Sequence, residues 1–171
     1  MDDVHQSMMV QALEEARRAL DRGEFPVGCV LAEADQVLAR GSRHNSSGQP
    51  NEIDHAEMVT LRDLIHRNPN IDCTRLVCYS TMEPCLMCYT TMLLSGVRTF
   101  VWAYEDVMGG GLNLPLPLLN PLYAKMEVFL HGPVLRQESL ALFQQFFRSY
   151  PYWQGSLLAS YTLAQSLEKH S

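Results

Sequence analysis

The most informative segment of the sequence reads His55-Ala56-Glu57, and a second motif, Pro84-Cys85-Leu86-Met87-Cys88, begins 27 residues after Glu57. One imidazole and two thiols are ligands that zinc prefers, and a catalytic zinc site keeps its fourth position for water. The glutamate adds a carboxylate that is not part of this ligand set. The two motifs therefore predict a catalytic zinc site rather than an isolated metal or redox motif.

This set of groups suits the attack of water on an amino-bearing ring carbon. Zinc lowers the pKa of bound water from ~15.7 to roughly 7, so that hydroxide is available at neutral pH. Glu57 can take the water proton and pass it to the ring nitrogen, and then to the amine as ammonia leaves. The order H-x-E and then P-C-x-x-C is typical of zinc deaminases that act on nucleobases. We interpret His55, Cys85 and Cys88 as zinc ligands and Glu57 as the catalytic residue.

Both motifs are predicted to lie at the start of a helix. An apolar stripe predicts a helix over residues 54–66, in which Asp54 is the first residue and a possible partner of the histidine ligand. Pro84 suits the first turn of a second helix, over residues 84–95. On that helix Cys85 and Cys88 share one face, and the helix dipole favours their thiolate forms.

A structural zinc site is the main alternative, because C-x-x-C also occurs in structural zinc sites and in redox motifs. Such a site needs a fourth protein ligand, which His44, Cys73 or Cys78 would have to provide. Cys78 lies in a predicted buried strand, where cysteine behaves as a small apolar residue. The agreement of two motifs in order and spacing favours the catalytic site.

Length and composition indicate one domain of 171 residues, of which 47% are apolar. No run of 18 apolar residues predicts a membrane span, and the acidic start Met1-Asp2-Asp3 does not resemble a signal sequence. The five cysteines show no disulfide framework, which is typical of a reducing compartment. We expect a cytoplasmic protein with no membrane partner.

The charge balance indicates a small, uncharged substrate. Thirteen Lys and Arg against nineteen Asp and Glu give a net charge of −6, and the only lysines are Lys125 and Lys169. Nucleic-acid binding draws much of its affinity from basic patches that neutralise phosphates. The sequence shows no such patch, which disfavours a nucleic-acid partner without excluding it.

Alternating helices and strands predict an α/β fold with helices on both faces of a sheet. We predict helices over residues 4–22, 54–66, 84–95, 139–150 and 156–167, and strands over 26–32, 37–42, 76–80, 98–103 and 126–131. The connector 107–123, which contains three glycines and an apolar, proline-rich run, is either a packed connector or a wall or lid of the pocket. We assign residues 1–150 to a zinc-dependent deaminase domain and 151–171 to a C-terminal helical extension of it.

The motifs His55-Ala56-Glu57 and Glu83-Pro84-Cys85-Leu86-Met87-Cys88 resemble those of the cytidine-deaminase-like superfamily. The same resemblance extends to Pro26-Val27-Gly28, Asn45 and Phe146-Phe147. The resemblance covers residues 4–150 and is closest to the branch of tRNA adenosine deaminases, guanine deaminases and fungal-type cytosine deaminases. It implies a three-layer α/β/α sandwich with a five-stranded mixed sheet whose last two strands are parallel. It also implies a homodimer, a zinc cofactor and a substrate contact at Asn45.

The sequence departs from the tRNA enzymes after the fourth predicted strand. Where these enzymes carry an Arg-Asp stretch and a basic loop, this chain reads Tyr104-Glu105-Asp106-Val107-Met108. The Glu105-Asp106 pair resembles the acidic residues with which guanine deaminases can pair purine N–H groups, and a solvated turn is the alternative. We therefore add Glu83, Tyr104 and Asp106 to the candidate substrate-binding residues.

The function predicted first is a zinc-dependent hydrolytic deaminase of a free nucleobase or nucleoside, guanine-like or cytosine-like. One alternative is a tRNA-specific adenosine deaminase that converts wobble adenosine to inosine. A second is a catalytically inactive zinc-binding partner subunit, although such partners tend to lose the proton-carrying glutamate. The aromatic tail, with Tyr152, Trp153 and Tyr161, is predicted to close the pocket, to pack in a dimer or to complete the core.

Overall fold

Five strands build the central sheet in the computed structural model, which describes residues 2–44 and 51–167. The strands are β1 (Gly28–Glu33), β2 (Gln36–Ser42), β3 (Val77–Met82), β4 (Thr99–Tyr104) and β5 (Phe129–His131). The helices are α1 (Asp2–Asp21), α2 (Ala56–Arg67), α3 (Leu86–Ser95), α4 (Pro121–Ala124), α5 (Arg136–Ser149) and α6 (Leu157–Leu163). None of these helices is long and apolar enough to cross a membrane.

The sheet is mixed, with its strands in the order β2-β1-β3-β4-β5. β1 pairs antiparallel with β2 and β3, whereas β4 pairs parallel with both β3 and β5. Parallel neighbours need a crossover connection. α3 provides the crossover between β3 and β4, and the long connector after β4 provides the next one. The predicted five-stranded mixed sheet, with its last two strands parallel, is confirmed.

Helices cover both faces of this sheet. α1 packs so closely on β1 that a Cβ on Gly28 would stand 2.1 Å from the carbonyl oxygen of Ala12. Gly41 of β2 pairs with Cys29, and a Cβ on Gly41 would stand 2.8 Å from the hydroxyl of Thr60 in α2. Because neighbouring residues of a strand point to opposite faces, α1 and α2 lie on opposite sides of the sheet. α5 packs with α1 and α3 with α2, which confirms the three-layer α/β/α sandwich.

Both motif-bearing helices begin two residues later than predicted. α2 begins at Ala56 with His55 as its N-cap, and α3 begins at Leu86 with Cys85 as its N-cap. Pro84 thus precedes the helix rather than occupying its first turn, and its carbonyl accepts a hydrogen bond of 2.9 Å from the Gly111 backbone. The two metal-binding motifs therefore lie at the junctions between loop and helix.

Other element boundaries differ for local reasons. α5 begins at Arg136, three residues before the predicted start at Ser139. The Ser139 hydroxyl does not cap a helix but donates a 2.6 Å hydrogen bond to the Thr81 carbonyl, which ties α5 to β3. β1 begins at Gly28 rather than residue 26, β5 is only the exposed segment Phe129–His131, and α6 ends at Leu163 rather than residue 167.

The C-terminal segment folds back onto the rest of the chain. Gln144 of α5 donates hydrogen bonds to the carbonyls of Thr162 (3.0 Å) and Gln165 (2.7 Å). Leu158 is buried with 1% of its surface exposed, so it does not need a partner subunit to cover it, whereas Leu157 is 61% exposed. The tail, up to residue 167, therefore adds to the existing core. Completing the core was one of the three roles predicted for it.

Candidate metal centre and active site

The three predicted zinc ligands converge at the N-termini of α2 and α3. The Nδ1 atom of His55 lies 3.4 Å from Sγ of Cys85 and 3.5 Å from Sγ of Cys88. All three ligand atoms lie within 4.8 Å of one another, so the three side chains are placed to hold a metal ion. Residues 2–44 and 51–167 contain no other such group of His, Cys, Asp or Glu side chains. The helices explain the arrangement, because His55 and Cys85 are N-caps and Cys88 is in the first turn of α3.

The donor set fits zinc. Two Zn–ligand bonds of ~2.3 Å (sulfur) and ~2.0–2.1 Å (nitrogen) at a tetrahedral angle would separate N and S by about 3.6 Å, close to the two distances observed. The other two cysteines considered as a fourth ligand lie elsewhere: Cys78 contacts Cys29 across β1 and β3, and Cys73 packs beside Gly96. Three protein ligands with an open position are typical of a catalytic rather than a structural zinc site.

The thiols and the imidazole shift one another's protonation. A hydrogen bond from Cys88, helped by one from His55 and opposed by burial, lowers the pKa of Cys85 to about 4. The same hydrogen bond and burial raise the pKa of Cys88. Burial acts to lower the pKa of His55, but the hydrogen bond to Cys85 and the negative charges of Glu57 and Cys85 together outweigh it, so the pKa is raised. Metal ligands bind in their deprotonated forms, so a divalent cation would replace the protons that these groups share.

Glu57 is the second residue of α2 and lies beside the ligands. Its side chain is buried, with 3% exposed, and its Oε1 accepts a 3.0 Å hydrogen bond from the Ser80 hydroxyl of β3. Burial, followed by the negative charge of Cys85, raises the pKa of the Glu57 carboxyl. A carboxyl held in one orientation and inclined to accept a proton is what a general acid–base needs.

A cavity of about 100 Å³ opens next to Glu57 and the metal-binding residues. Its walls are mostly apolar and include Phe25, Val27, Met82, Trp153 and Leu158. This volume is well below the ~300–1,000 Å³ of pockets for drug-sized ligands. The dimensions and the aromatic walls therefore suit a small planar ring.

Glu83 and Asp106, two of the predicted substrate-binding residues, also line this cavity. The Glu83 carboxylate accepts backbone hydrogen bonds from Asp106 (3.3 Å) and Leu112 (3.2 Å). Oδ1 of Asp106 accepts from the backbone of Met108 and Gly109. Both carboxylates thus hold the turn after β4 against the cavity. Gly109 lines the cavity and Leu112 is buried, so the connector is both packed and part of the wall.

Of the remaining two predicted substrate contacts, Tyr104 does not line the cavity. Tyr104 is fully buried in the core, where its hydroxyl contacts Thr162 (3.0 Å) and Gln165 (2.9 Å), and it is not among the lining residues. Asn45 lies outside the residues that the structure describes. Asp54, predicted as the start of α2, instead accepts hydrogen bonds from Asn51 (2.9 Å) and Arg62 (2.8 Å).

Sequence reasoning misses Arg43, which the local pattern places only in a polar loop. Arg43 lines the cavity, is 4% exposed, and its Nη2 donates to Glu52 (2.7 Å) and to the Tyr152 hydroxyl (3.1 Å). The same Glu52 oxygen lies 3.5 Å from Nε2 of His55. Glu52 therefore connects the arginine to the metal-binding histidine. No local signal could have revealed this, because Arg43 and Tyr152 are 109 positions apart.

The C-terminal tail contributes the outer wall of the site. Trp153 and Leu158 line the cavity, and the Trp153 ring is stacked on Tyr152 at a centroid distance of 5.5 Å. Tyr152 donates a 2.7 Å hydrogen bond to Glu52. The aromatic residues of the tail were the available sequence signal, and closing the pocket was one of the three roles predicted for them.

Comparison with known proteins gives matches to deaminases. Residues 2–104 match the family model described as the cytidine and deoxycytidylate deaminase zinc-binding region. The chain is 27% identical over 141 residues to a tRNA-specific adenosine deaminase of Streptococcus pyogenes serotype M1, and the alignment covers 82% of this chain and 81% of that protein. It is 29% identical over 140 residues to that of Bacillus subtilis (strain 168), covering 82% and 86%.

Solved structures of deaminases also superpose on this chain. A structure from a study of A-to-I editing by tRNA:A34 deaminases superposes with a TM-score of 0.69 at 25% identity, covering 80% of this chain and 98% of that one. A guanine deaminase from Nitrosomonas europaea superposes with a TM-score of 0.68 at 19% identity, covering 82% and 83%. The second similarity is one of fold alone.

Proposed function

Because the chain is a deaminase of the cytidine and deoxycytidylate deaminase family, we propose that it is a zinc-dependent hydrolase of a free nucleobase or nucleoside. The observation that carries this proposal is the buried Glu57 carboxyl beside His55, Cys85 and Cys88, at the wall of a small apolar cavity. The substrate is an amino-bearing heterocycle, guanine-like or cytosine-like, and the products are the oxo base and ammonia.

His55, Cys85 and Cys88 would hold the zinc ion. When bound, zinc supplies Lewis-acid activation of the attacking water near neutral pH. The residues of the chain then orient the base and move the protons. Phe25, Val27 and Trp153 line the cavity, so they would contact the faces of the base and exclude bulk water, which strengthens every polar interaction inside the cavity.

Glu57 carries the protons. Its carboxylate takes a proton from the water as oxygen bonds to the amino-bearing carbon, and gives that proton to the adjacent ring nitrogen. It then takes the second proton of the water and delivers it to the amine, so that the C–N bond breaks and ammonia leaves. The Ser80 hydroxyl holds one carboxylate oxygen at 3.0 Å and so leaves the other for this transfer.

The walls of the cavity and the charge of the chain support a free base or nucleoside as substrate. The C-terminal residues Trp153 and Leu158 lie at the cavity, where a nucleic-acid strand would need room to enter. The only arginine that lines the cavity, within the described residues, is paired with Glu52. The net charge of −6 adds repulsion of phosphates over the whole molecule.

The second candidate function is a tRNA-specific adenosine deaminase, which the similarity to the Streptococcus pyogenes and Bacillus subtilis proteins favours. It would use the same ligands and the same glutamate, and it would differ in how the base is delivered. The other alternative, an inactive partner subunit, is disfavoured because Glu57 is present and lies beside the ligands.

An ammonia-release assay tests the proposal. Guanine, cytosine, adenine, their nucleosides and an anticodon stem-loop are incubated separately with the zinc-loaded protein, and the Glu57→Gln variant serves as the blank. We expect ammonia from at least one free base or nucleoside, and at least about 100-fold less from the Glu57→Gln blank. Conversion of the stem-loop adenosine to inosine, with no turnover of any small substrate, would replace the proposal with the tRNA function.

A further inference from the structure

The two nitrogens of the His55 imidazole lie in different surroundings. Nδ1 faces the sulfurs of Cys85 and Cys88 at 3.4 and 3.5 Å, whereas Nε2 lies 3.5 Å from Oε2 of Glu52. A metal ion binds an imidazole nitrogen that carries no proton, so zinc on Nδ1 would leave the proton of the neutral ring on Nε2. Nε2–H is then a donor, and the Glu52 carboxylate is the acceptor beside it.

The Glu52 carboxylate is restrained from more than one side, although 55% of its side chain is exposed. Nη2 of Arg43 donates a 2.7 Å hydrogen bond to Oε2, and the Tyr152 hydroxyl donates one of 2.7 Å to Oε1. A carboxylate offers about four acceptor sites, so the same group can serve Arg43, Tyr152 and His55 together. These three donors come from three separate segments of the chain and together fix its orientation.

Arg43 is the rigid member of this network. It is only 4% exposed, and its guanidinium lies over the ring of Phe25, with Cζ 5.8 Å from the centroid. A buried charge needs a paired counter-charge, which Glu52 provides. Because breaking this ion pair is costly, Oε2 is held where Nε2 of His55 can donate to it.

Tyr152 brings the C-terminal tail into the same network. Its ring stacks on Trp153, which lines the cavity, and its hydroxyl also accepts a 3.1 Å hydrogen bond from Arg43. Tyr152 and His55 are thus connected through one carboxylate. A contact that the tail makes can therefore influence how the metal-binding histidine is held.

We propose that Glu52 is a positioning residue for the zinc site, whose carboxylate accepts the Nε2–H of His55 and, through Tyr152, couples the C-terminal tail to metal binding. Such a carboxylate fixes the tautomer and the orientation of the ring and makes it a better ligand, and its loss typically costs about 10- to 100-fold in metal affinity. The inference goes beyond the proposed function, because it concerns the metal-binding residues and does not depend on which base is the substrate.

Zinc affinity tests the proposal without any substrate, by competition between the zinc-loaded protein and a chromogenic chelator. Glu52→Gln keeps the size of the side chain but replaces the carboxylate by an amide. Tyr152→Phe removes only the hydroxyl that donates to Oε1, so it leaves the charge of Glu52 and the ring beside Trp153 in place. A loss of affinity in Tyr152→Phe therefore reports positioning rather than a change of charge near the metal.

Two control variants separate the other effects. Glu14→Gln removes the same charge from a surface pair with Arg40. Thr81→Val removes a buried hydroxyl that accepts a hydrogen bond from the Gly28 backbone, and so lowers stability without changing the network around Glu52.

We expect Glu52→Gln to bind zinc about 10- to 100-fold more weakly than the wild type, and Tyr152→Phe about two- to tenfold more weakly, because Arg43 still holds the carboxylate. Glu14→Gln and Thr81→Val should bind zinc as the wild type does. Wild-type affinity in Glu52→Gln, or an equal loss in Thr81→Val, would overturn the positioning role. Wild-type affinity in Tyr152→Phe would overturn the coupling to the tail.

Tyr152→Phe also keeps the ion pair between Arg43 and Glu52, so it decides the question if Glu52→Gln does not fold. Wild-type zinc affinity in Tyr152→Phe would then overturn the proposal as a whole. The ammonia-release assay is separate from these measurements. Absence of ammonia release from every free base and nucleoside, with the expected losses of zinc affinity, would overturn the proposed function alone.

Discussion

Replacing Ser80 with alanine should slow turnover about 10- to 100-fold and leave zinc binding intact. The Ser80 hydroxyl is fully buried and donates to Oε1 of Glu57 at 3.0 Å, and Glu57 is itself only 3% exposed. A hydrogen bond to a charged group contributes about 1.5–3 kcal/mol, and each 1.4 kcal/mol corresponds to about a tenfold change in rate. The full loss of that interaction in the transition state gives the stated range.

A neighbouring hydroxyl provides the matched control. Thr81 follows Ser80 on β3, is equally buried, and its Oγ1 accepts a 3.0 Å hydrogen bond from the Gly28 backbone. Thr81→Val removes that hydroxyl at nearly constant volume, so it should lower the free energy of unfolding by about 1–3 kcal/mol with little effect on kcat. Ammonia release, zinc analysis and thermal unfolding of both variants separate the two effects. Normal kcat in Ser80→Ala, or an equal loss of kcat in Thr81→Val, would refute the orienting role.

Four further predictions concern the metal, the glutamate, the assembly and the substrate. Metal analysis should give about one zinc per wild-type chain and far less in Cys85→Ala or Cys88→Ala, and full retention in both would refute the ligand assignment. Glu57→Gln should keep zinc and lose about 10²–10⁴-fold in kcat, so near-normal turnover would exclude it as the proton carrier. Light scattering at micromolar concentration should show a homodimer, and a monomer would contradict this. The reason is that three leucine side chains are more than half exposed: Leu157 at 61%, Leu86 at 52% and Leu94 at 57%. Turnover of a free base should change little between low and moderate salt, whereas a steep decrease would indicate phosphate contacts.

The sequence was sufficient to predict the parts of the molecule whose chemistry is local. His55 and Glu57 are two residues apart and Cys85 and Cys88 are three apart, so each pair is positioned by a single helix terminus. The start of each helix was less predictable: Pro84 suggested a first turn, but Cys85 caps α3 and pairs with Gly110 of the connector. That pairing joins distant segments and leaves no trace in the local pattern.

The substrate side of the site could not be predicted in the same way, because tertiary contacts create it. Arg43 becomes a buried cation only when Glu52 and Tyr152 approach it. Tyr104 stood at the right place in the sequence for a substrate contact, but the pleat of β4 turns its ring toward α5 and α6, where it packs on Phe143 at a centroid distance of 5.3 Å. Charge and strand position alone do not determine which side chains face a cavity.

The chemistry and the choice of substrate are encoded in different parts of the chain. The match to the family model ends at residue 104, and it contains all three ligands, Glu57 and Ser80. Asp106, Gly109, Trp153 and Leu158, which complete the cavity wall, all lie after that point. Similarity over the shared region therefore predicts the reaction better than it predicts the base. The alignment with a tRNA-specific adenosine deaminase extends past that point, over 141 residues, but at 27% identity most positions differ, so it determines the reaction better than the base.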